Sequence, residues 1–112
     1  MLQVQVSIGR NTSPGIPLPK IAWYNFQRDI GEALWENVAG AAQWEEVHTG
    51  TGSWDGQTEE SAHITVLDVF WLDREALTRD LASIAKRYGQ DAIALTVTEP
   101  ELLSRLDRLH GL

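Results

Sequence analysis

The chain contains no cysteine among its 112 residues. Disulfide bonds, thiolate zinc sites and cysteine nucleophiles are therefore excluded together, and so is a secreted scaffold stapled by disulfides. No stretch approaches the roughly 20 apolar residues that a membrane-spanning helix requires. Residues 1–6 alternate apolar and polar side chains, which is typical of a strand and not of a signal peptide. We therefore expect a cytoplasmic protein that has no membrane partner.

Basic residues are also scarce. Lys and Arg number 9 against 16 Asp and Glu, which gives a formal net charge of −7 at pH 7. This balance disfavours attraction to phosphate backbones and anionic lipid, so we expect no nucleic-acid partner. A protein that mimics DNA would need dense rows of carboxylates, whereas here basic residues are interspersed along both predicted helices. The charge is more simply explained as keeping the protein soluble.

Hydrophobic residues make up 43% of the chain, enough for one core between two packed layers, so we expect a single domain over residues 1–112. Period-two alternation predicts a first strand that carries Leu2, Val4, Val6 and Ile8 on one face. Residues 9–19 contain three prolines and two glycines, which predict a connecting loop. From about residue 19 to 38 the apolar spacing changes to three and four residues, which predicts the first helix.

A central hairpin follows, with strands predicted over residues 42–47 and 62–70. Asp55-Gly56 favours a two-residue turn at its tip, and Gly50 and Gly52 predict a bulge or a flexible arm in the incoming strand. The second helix begins after Asp73 as N-cap and ends at Gly89 as a left-handed cap. Residues 93–97 form the last predicted strand. Residues 98–112 then form a short C-terminal capping helix or tail, whose stripe consists of Leu102, Leu103, Leu106 and Leu109.

This order predicts an α+β, ferredoxin-like β-α-β-β-α-β two-layer sandwich, with both helices on one face of an antiparallel four-stranded sheet. The other side of the sheet, the open face, is then uncharged and polar. Its predicted members are Gln3, Gln5, Ser7, His63, Thr65, Ala94 and Thr96. This face could remain solvated, receive the leucine-bearing tail or meet a second copy of the chain. We favour a homodimer, because a small domain of this plan buries little surface alone.

Four short motifs punctuate these elements: Gly9-Arg10, Gly52-Ser53-Trp54, Glu59-Glu60-Ser61 and Tyr88-Gly89-Gln90-Asp91. In them the chain resembles an uncharacterised family of small bacterial and actinobacteriophage α/β domains, and the resemblance covers most of the chain. It implies the fold and a phage-like setting. It implies no activity and transfers no functional residue.

Two polar groups are candidates for chemistry. A two-residue turn at Asp55-Gly56 would place His48 opposite His63, and a cross-strand histidine pair can ligate a metal. The same register would place Glu45 opposite Val66 on the core face, unless a bulge shifts the pairing. The carboxylates around the hairpin have no accompanying nucleophile or phosphate loop and are better explained as a solvated edge. We predict no catalytic residue, no metal and no cofactor.

The aromatic residues suggest an interaction surface instead. Trp23 lies on the core stripe of the first helix, whereas Tyr24, Arg28, Gly31 and Trp35 share a different strip at near-helical spacing. Tryptophan, tyrosine and arginine are enriched at the hot spots of protein interfaces. For Trp35 the alternative is packing against the sheet edge or the C-terminal leucines.

Trp54, at the predicted hairpin tip, is a further candidate, and the alternative for it is packing against its own domain. Two functions follow. The first is a non-catalytic, self-associating interaction module that uses Tyr24, Arg28, Trp35 and Trp54, with another protein as a possible partner. The second is a small-molecule binder or small enzyme on the open face or at a dimer seam, with His48, His63, Thr65 and Thr96 as candidates.

Overall fold

The computed structural model describes residues 1–13, 15–40, 45–54 and 57–99, without the side chains of residues 45–49, 51–54, 57 and 58. The described elements confirm the predicted order of strands and helices. They are β1 (Leu2–Gly9), α1 (Lys20–Asn37), β2 (Val38–Gly40), β3 (Glu45–Trp54), β4 (Gln57–Leu72), α2 (Arg74–Arg87) and β5 (Ala94–Thr98).

The sheet is antiparallel throughout its described pairs. β1 lies between β4 and β5, and the other side of β4 pairs with β3 along its first part and with β2 along its last part. Four strand positions therefore lie side by side, because β2 and β3 share one edge. Together with the two helices, this confirms the ferredoxin-like α+β prediction.

The core lies between the helices and the inward side of the sheet. It combines the predicted face of β1 with the apolar stripes of both helices in a single cluster. Phe26 of α1 is fully buried and stacks on Tyr88, with ring centroids 4.8 Å apart, while the edge of Trp23 approaches it at 6.0 Å. Trp23 is therefore a core residue, in agreement with its predicted place on the stripe.

Two bulges interrupt β4 after Val66. Its inward positions follow period two up to Val66, and then fall at Val69 and Leu72, three residues apart each time. The register against β1 shifts at the first step and the register against β2 at the second. Asp68, in the first bulge, has a φ of 54°, which lies in the left-handed region.

The central hairpin keeps a continuous register. β3 pairs with β4 residue by residue from Glu45 opposite Val66 to Trp54 opposite Gln57. A two-residue connection is thereby confirmed, although residues 55 and 56 lie outside the description. The bulge expected at Gly50 or Gly52 is wrong, because glycine accommodates the extended backbone there without a break in the ladder. The predicted strand over residues 42–47 begins in a part outside the description and is observed over Glu45–Trp54.

The boundaries of α2 agree with the sequence. The Asp73 carboxylate accepts a hydrogen bond from the Ala76 amide at 3.1 Å, and Gly89 has a φ of 66°. The predicted helix over residues 98–112 lies outside the described residues from Pro100 onward. Within the described part, no helix is long and apolar enough to cross a bilayer.

Candidate interaction surfaces

The centre of the open face is built by β1, β4 and β5. Their register places Ser7 opposite His63, and Gln5 between Thr65 and Thr96. The Ser7 hydroxyl and Nδ1 of His63 lie 2.8 Å apart and form a hydrogen bond. Thr65 is buried, His63 is half-buried and Thr96 is exposed. The centre of the face is therefore polar and uncharged. One of the two ring nitrogens of His63 already takes part in a hydrogen bond.

The register also shows whether His48 lies opposite His63. It is the direct backbone partner of His63, and Glu45 is the partner of Val66, so both positions follow from the unshifted hairpin. The side chain of His48 lies outside the description. Among the described residues, no group of three or more potential ligands could hold a metal ion. The absence of a metal site stays a prediction.

The bulged end of β4 exposes two aromatic residues that the sequence analysis missed. Val69 and Leu72 both contact the core, so the two residues between them point outward. Phe70 is 65% exposed and Trp71 is 49% exposed. Met1 is exposed as well and precedes Leu2, the backbone partner of Val69. We call Met1, Phe70 and Trp71 the aromatic corner of the open face.

Charge is sparse on the open face. Its described charged side chains are Asp68, beside the aromatic corner, and Glu59, which shares the side of β4 that carries His63 and Thr65 and accepts a hydrogen bond from the Asn11 amide. By register, Glu46 of β3 takes the position opposite Thr65 at the far side of β4.

A signal for the bulges was present in the sequence, because Val66, Val69 and Leu72 recur at three-residue spacing, whereas residues on one face of a regular strand recur every two.

The strip of α1 that was singled out from the sequence is at the surface. Tyr24 is 56% exposed and Trp35 is 67% exposed, and the Arg28 guanidinium lies 3.6 Å from the carboxylate of Asp29. The strip lies on the side of α1 away from α2, since Asp29 and Ala33 face the groove between the helices. Trp54 ends β3, and its side chain lies outside the description. Its role in an interface stays a prediction.

The groove between the helices is acidic. Its lining contains four carboxylates and one guanidinium, namely Asp29, Glu32, Glu36, Asp80 and Arg87. Two polar contacts close its ends: the Tyr88 hydroxyl donates to Asp29 at 2.6 Å, and the Asn37 amide donates to Asp80 at 2.8 Å. Burial, the hydrogen bond to Asp29 and the charge of Asp29 raise the pKa of Tyr88 above its usual value, and Arg87 opposes this.

Three of the four sequence motifs meet at one end of the molecule. The Glu59 carboxylate accepts a hydrogen bond from the Asn11 amide at 2.8 Å, and Glu60 forms an ion pair with Arg10 at 3.1 Å. The Gln90 side chain donates to the Asn11 carbonyl at 3.1 Å. These contacts tie the loop between β1 and α1 to β4 and to the end of α2. The motifs therefore have a structural role, and Glu59 and Glu60 act as partners within the loop.

No family model matches the chain, and no curated protein matches its sequence. Solved structures do resemble it. The C-terminal domain of the MgtC protein from Mycobacterium tuberculosis aligns with a TM-score of 0.52 at 15% identity, covering 88% of this chain and 89% of that one. A phage SAM lyase in complex with S-methyl-5′-thioadenosine aligns with a TM-score of 0.48 at 14% identity, covering 88% and 80%. The de novo designed protein Foldit4 aligns with a TM-score of 0.44 at 15% identity, covering 89% and 98%.

These comparisons support the fold alone. At 15% identity the MgtC domain shares the architecture of this chain, and nothing about ligands or partners follows from it. The other two structures fall below a TM-score of 0.5 and carry no further implication. The chain is a small α/β domain, as the motif resemblance implied.

Proposed function

We propose that this chain is a non-catalytic interaction module whose partner is a second copy of itself, bound across the open face. The observation that carries the proposal is the aromatic corner. Phe70 and Trp71 are adjacent in sequence and both exposed on a face whose other members are mostly polar and uncharged. Exposed aromatic residues grouped on one face are typical of interface hot spots.

The distribution of charge also favours the open face as the dimer interface. The chain carries a net charge of −7, and the groove between the helices concentrates carboxylates. Two copies that met through their helices would place like charges opposite each other. On the open face the described charged side chains are Asp68 and Glu59, and the Glu59 carboxylate already accepts a hydrogen bond within the chain, so two such faces meet with less repulsion than two acidic grooves.

The size of the face is compatible with a stable dimer. Four strand positions spaced by about 4.8 Å and strands of about 26 Å give a flat area of roughly 500 Å². Protruding side chains make the accessible area larger than this projection, which brings it towards the ~800 Å² per partner of a standard interface. Face-to-face sheets pack about 10 Å apart, so side chains from both copies would interdigitate.

The proposal also covers the cellular location of the protein. We place the module in the cytoplasm of a bacterium or of a phage-infected cell, on the basis of composition and of the four sequence motifs. The alternative, a small-molecule binder or enzyme on this face, has less support. One groove lined by described residues lies between the helices and two lie along α2, away from the open face.

Light scattering coupled to gel filtration tests the proposal. The wild type is expected at twice the 12.5 kDa mass of the chain. The double variant Phe70→Ser/Trp71→Ser should weaken the dimer at least about 100-fold, since it removes both anchors, and should run as a monomer at micromolar concentration. Circular dichroism establishes that the variant remains folded.

Trp35→Ser is the matched control, because it removes a tryptophan that is even more exposed than Trp71 from the helical side. Its mass should equal that of the wild type. A monomeric wild type, or a dimer that survives the double variant, would overturn the proposal. A dimer lost only in Trp35→Ser would also overturn it and would move the interface to the strip on α1.

A further inference from the structure

The sheet is covered unevenly by its helices. On β1 the inward residues Val4 and Val6 are fully buried. On the neighbouring β5, Leu95 and Val97 point to the same side and contact the same core, yet each is only half-buried. Incompletely covered apolar side chains on an inward face indicate a missing neighbour, because burying them further is favourable by about 25 cal/mol per Å².

A trough runs along α2 beside these residues. The part next to β5 has a volume of about 420 Å³, with Leu95 and Ile93 of the β5 side below and Leu81, Ala82 and Ala85 of α2 beside them. Thr78 and Ala82 also line a shallower stretch that continues towards the first turn of α2. The trough therefore follows most of the helix, and its lining is mainly apolar where it meets β5.

The outer edge of β5 has few of the usual protections of an edge strand. Within the described part of the chain, β5 pairs only with β1. Its sequence, Ala-Leu-Thr-Val-Thr, has no charge and no proline, and its register against β1 is free of bulges. Natural edge strands are usually blunted by such features or covered by a helix or a loop. β5 is short but has no charge or proline of its own, so cover by a neighbouring segment would protect its edge further.

We infer that the segment following β5 packs its leucine side chains into this trough and covers the β5 edge. The stripe of this segment consists of Leu102, Leu103, Leu106 and Leu109. In a helix, Leu102 to Leu109 spans about 10 Å, the same rise as Thr78 to Ala85 along α2. The segment starts directly after β5, so no long connection is needed to reach the trough.

The direction of the chain fits this arrangement. After the left-handed turn at Gly89, β5 runs back along α2, so Thr98 lies towards the first turns of that helix. A segment that turns back at Pro100 meets Thr78 first and Ala85 last. The open face is then left free for the second copy, so this inference goes beyond the proposed function and does not depend on it.

Disulfide trapping tests the inference cleanly, because the wild type has no cysteine. The trough pair is Ala82→Cys with Leu106→Cys. The control pair is Thr96→Cys with Leu106→Cys, in which Thr96 is exposed on the open face. Under one mild oxidant, the trough pair should form at least about ten times more intrachain disulfide than the control pair, because only Cβ atoms about 3.5–4.5 Å apart can be bridged. Peptide mass mapping identifies the linkage.

Three results would overturn the inference. Equal or faster closure of the control pair would place the leucines on the open face. A disulfide formed only between chains would mean that the trough holds a segment of another copy. If neither cysteine pair forms a disulfide although circular dichroism shows both reduced proteins to be folded, the leucines lie on neither surface. Each result is read from a linkage within or between chains, so failure of the proposed dimer is detected separately by light scattering.

A second measurement uses hydrogen exchange of backbone amides instead of cross-linking. In the variant Leu102→Ser/Leu106→Ser, the amides of β5 should exchange with solvent at least about tenfold faster, because their cover is weakened. The amides of β3, on the opposite edge of the sheet, should keep their wild-type rates. An unchanged β5 in this variant would contradict the inference.

Discussion

The two ends of this molecule are organised differently. At the loop end, formed by residues 10–19, 59–60 and 88–91, polar groups satisfy one another: Glu59 caps the Asn11 amide, and Gln90 reaches the carbonyl of the same residue. At the bulged end, formed by residues 37–40 and 66–73, one polar pair, Asn37 with Asp80, lies beside two exposed aromatic side chains. At the first end the polar groups are paired within the chain although Ile16 is exposed, whereas the second end exposes two adjacent aromatic side chains.

This difference separates structural residues from candidate functional ones. The sequence motifs concentrate at the loop end, where their side chains and backbone hold a proline-rich loop in place. The adjacent exposed aromatic residues Phe70 and Trp71 lie at the bulged end, where β4 departs from the regular pleat. Distinctive sequence at one end therefore marks packing, and irregular geometry at the other marks the surface for a partner.

The largest expected effect concerns the polar pair of the bulged end. Asn37 is buried, and its amide donates to the Asp80 carboxylate and to the Ala33 carbonyl, each at 2.8 Å. Asn37→Asp removes the donor and places a second carboxylate beside Asp80. We expect the free energy of unfolding to fall by about 3 kcal/mol at pH 7, because a charge-assisted bond is replaced by repulsion in a buried site. Urea unfolding followed by tryptophan fluorescence measures the loss.

The exchanged pair Asn37→Asp/Asp80→Asn is the control. It restores one amide and one carboxylate at the same two positions, so part of the lost stability should return. A double variant as unstable as the single one would show that the contact with Asp80 contributes nothing and that the loss comes from burying the carboxylate alone.

The next-largest expected effect is the loss of stability when a Cβ is added to a tightly packed glycine, and each end of the molecule offers one such glycine. A Cβ on Gly40 would lie 2.8 Å from the Leu67 carbonyl oxygen, which belongs to the bulged backbone. A Cβ on Gly9 would lie 2.6 Å from the Glu59 carboxylate, the end of a flexible side chain. Gly40→Ala should therefore lower the free energy of unfolding by about 2 kcal/mol, because the backbone itself must shift. Gly9→Ala should lower it by about 1 kcal/mol, the value of the displaced hydrogen bond.

Gly50→Ala controls for glycine replacement in a strand, since nothing lies within 4 Å of the position of its Cβ. Its urea midpoint should match or slightly exceed that of the wild type. If Gly40→Ala and Gly9→Ala shifted the midpoint no more than Gly50→Ala does, the close contacts at Gly40 and Gly9 would not limit stability.

Local signals in the sequence were sufficient for both helices and the four main strands, but they gave neither the short strand β2 nor the long-range geometry of the sheet. The ends of α2 follow from Asp73 and Gly89, because a cap depends on its neighbours within one turn. The three-residue spacing of Val66, Val69 and Leu72 is a local trace of the β4 bulges, but which residues they expose depends on the register against two other strands. Exposure of Phe70 and Trp71 follows from those bulges, so it could not be predicted before the pairing was known.

The smallest expected effect concerns Tyr88, where the loop end meets the helices. Its hydroxyl donates to Asp29 at 2.6 Å, and burial followed by the nearby carboxylate raises the pKa of Tyr88 above its ordinary value of 10.0. Tyr88→Phe keeps the ring stacked on Phe26 and removes this one bond, so the free energy of unfolding at pH 8 should fall by roughly 1 kcal/mol. Because the protonated hydroxyl is favoured in the folded state, its contribution is complete below pH 10.0 and is lost as the pH rises through the folded-state value.

Urea unfolding at several pH values between 8 and 11 tests this directly. The gap between the wild type and Tyr88→Phe should narrow above pH 10.0, since only the wild type carries a phenol that ionises beside Asp29. Tyr24→Phe, at an exposed tyrosine on the other side of α1, should follow the wild-type curve. A gap that stays constant across this range would mean that the hydroxyl acts by filling space. In that case the loop end would be held to the helices by packing alone, and the contrast between its polar contacts and the apolar bulged end would be weaker than the hydrogen-bond geometry implies.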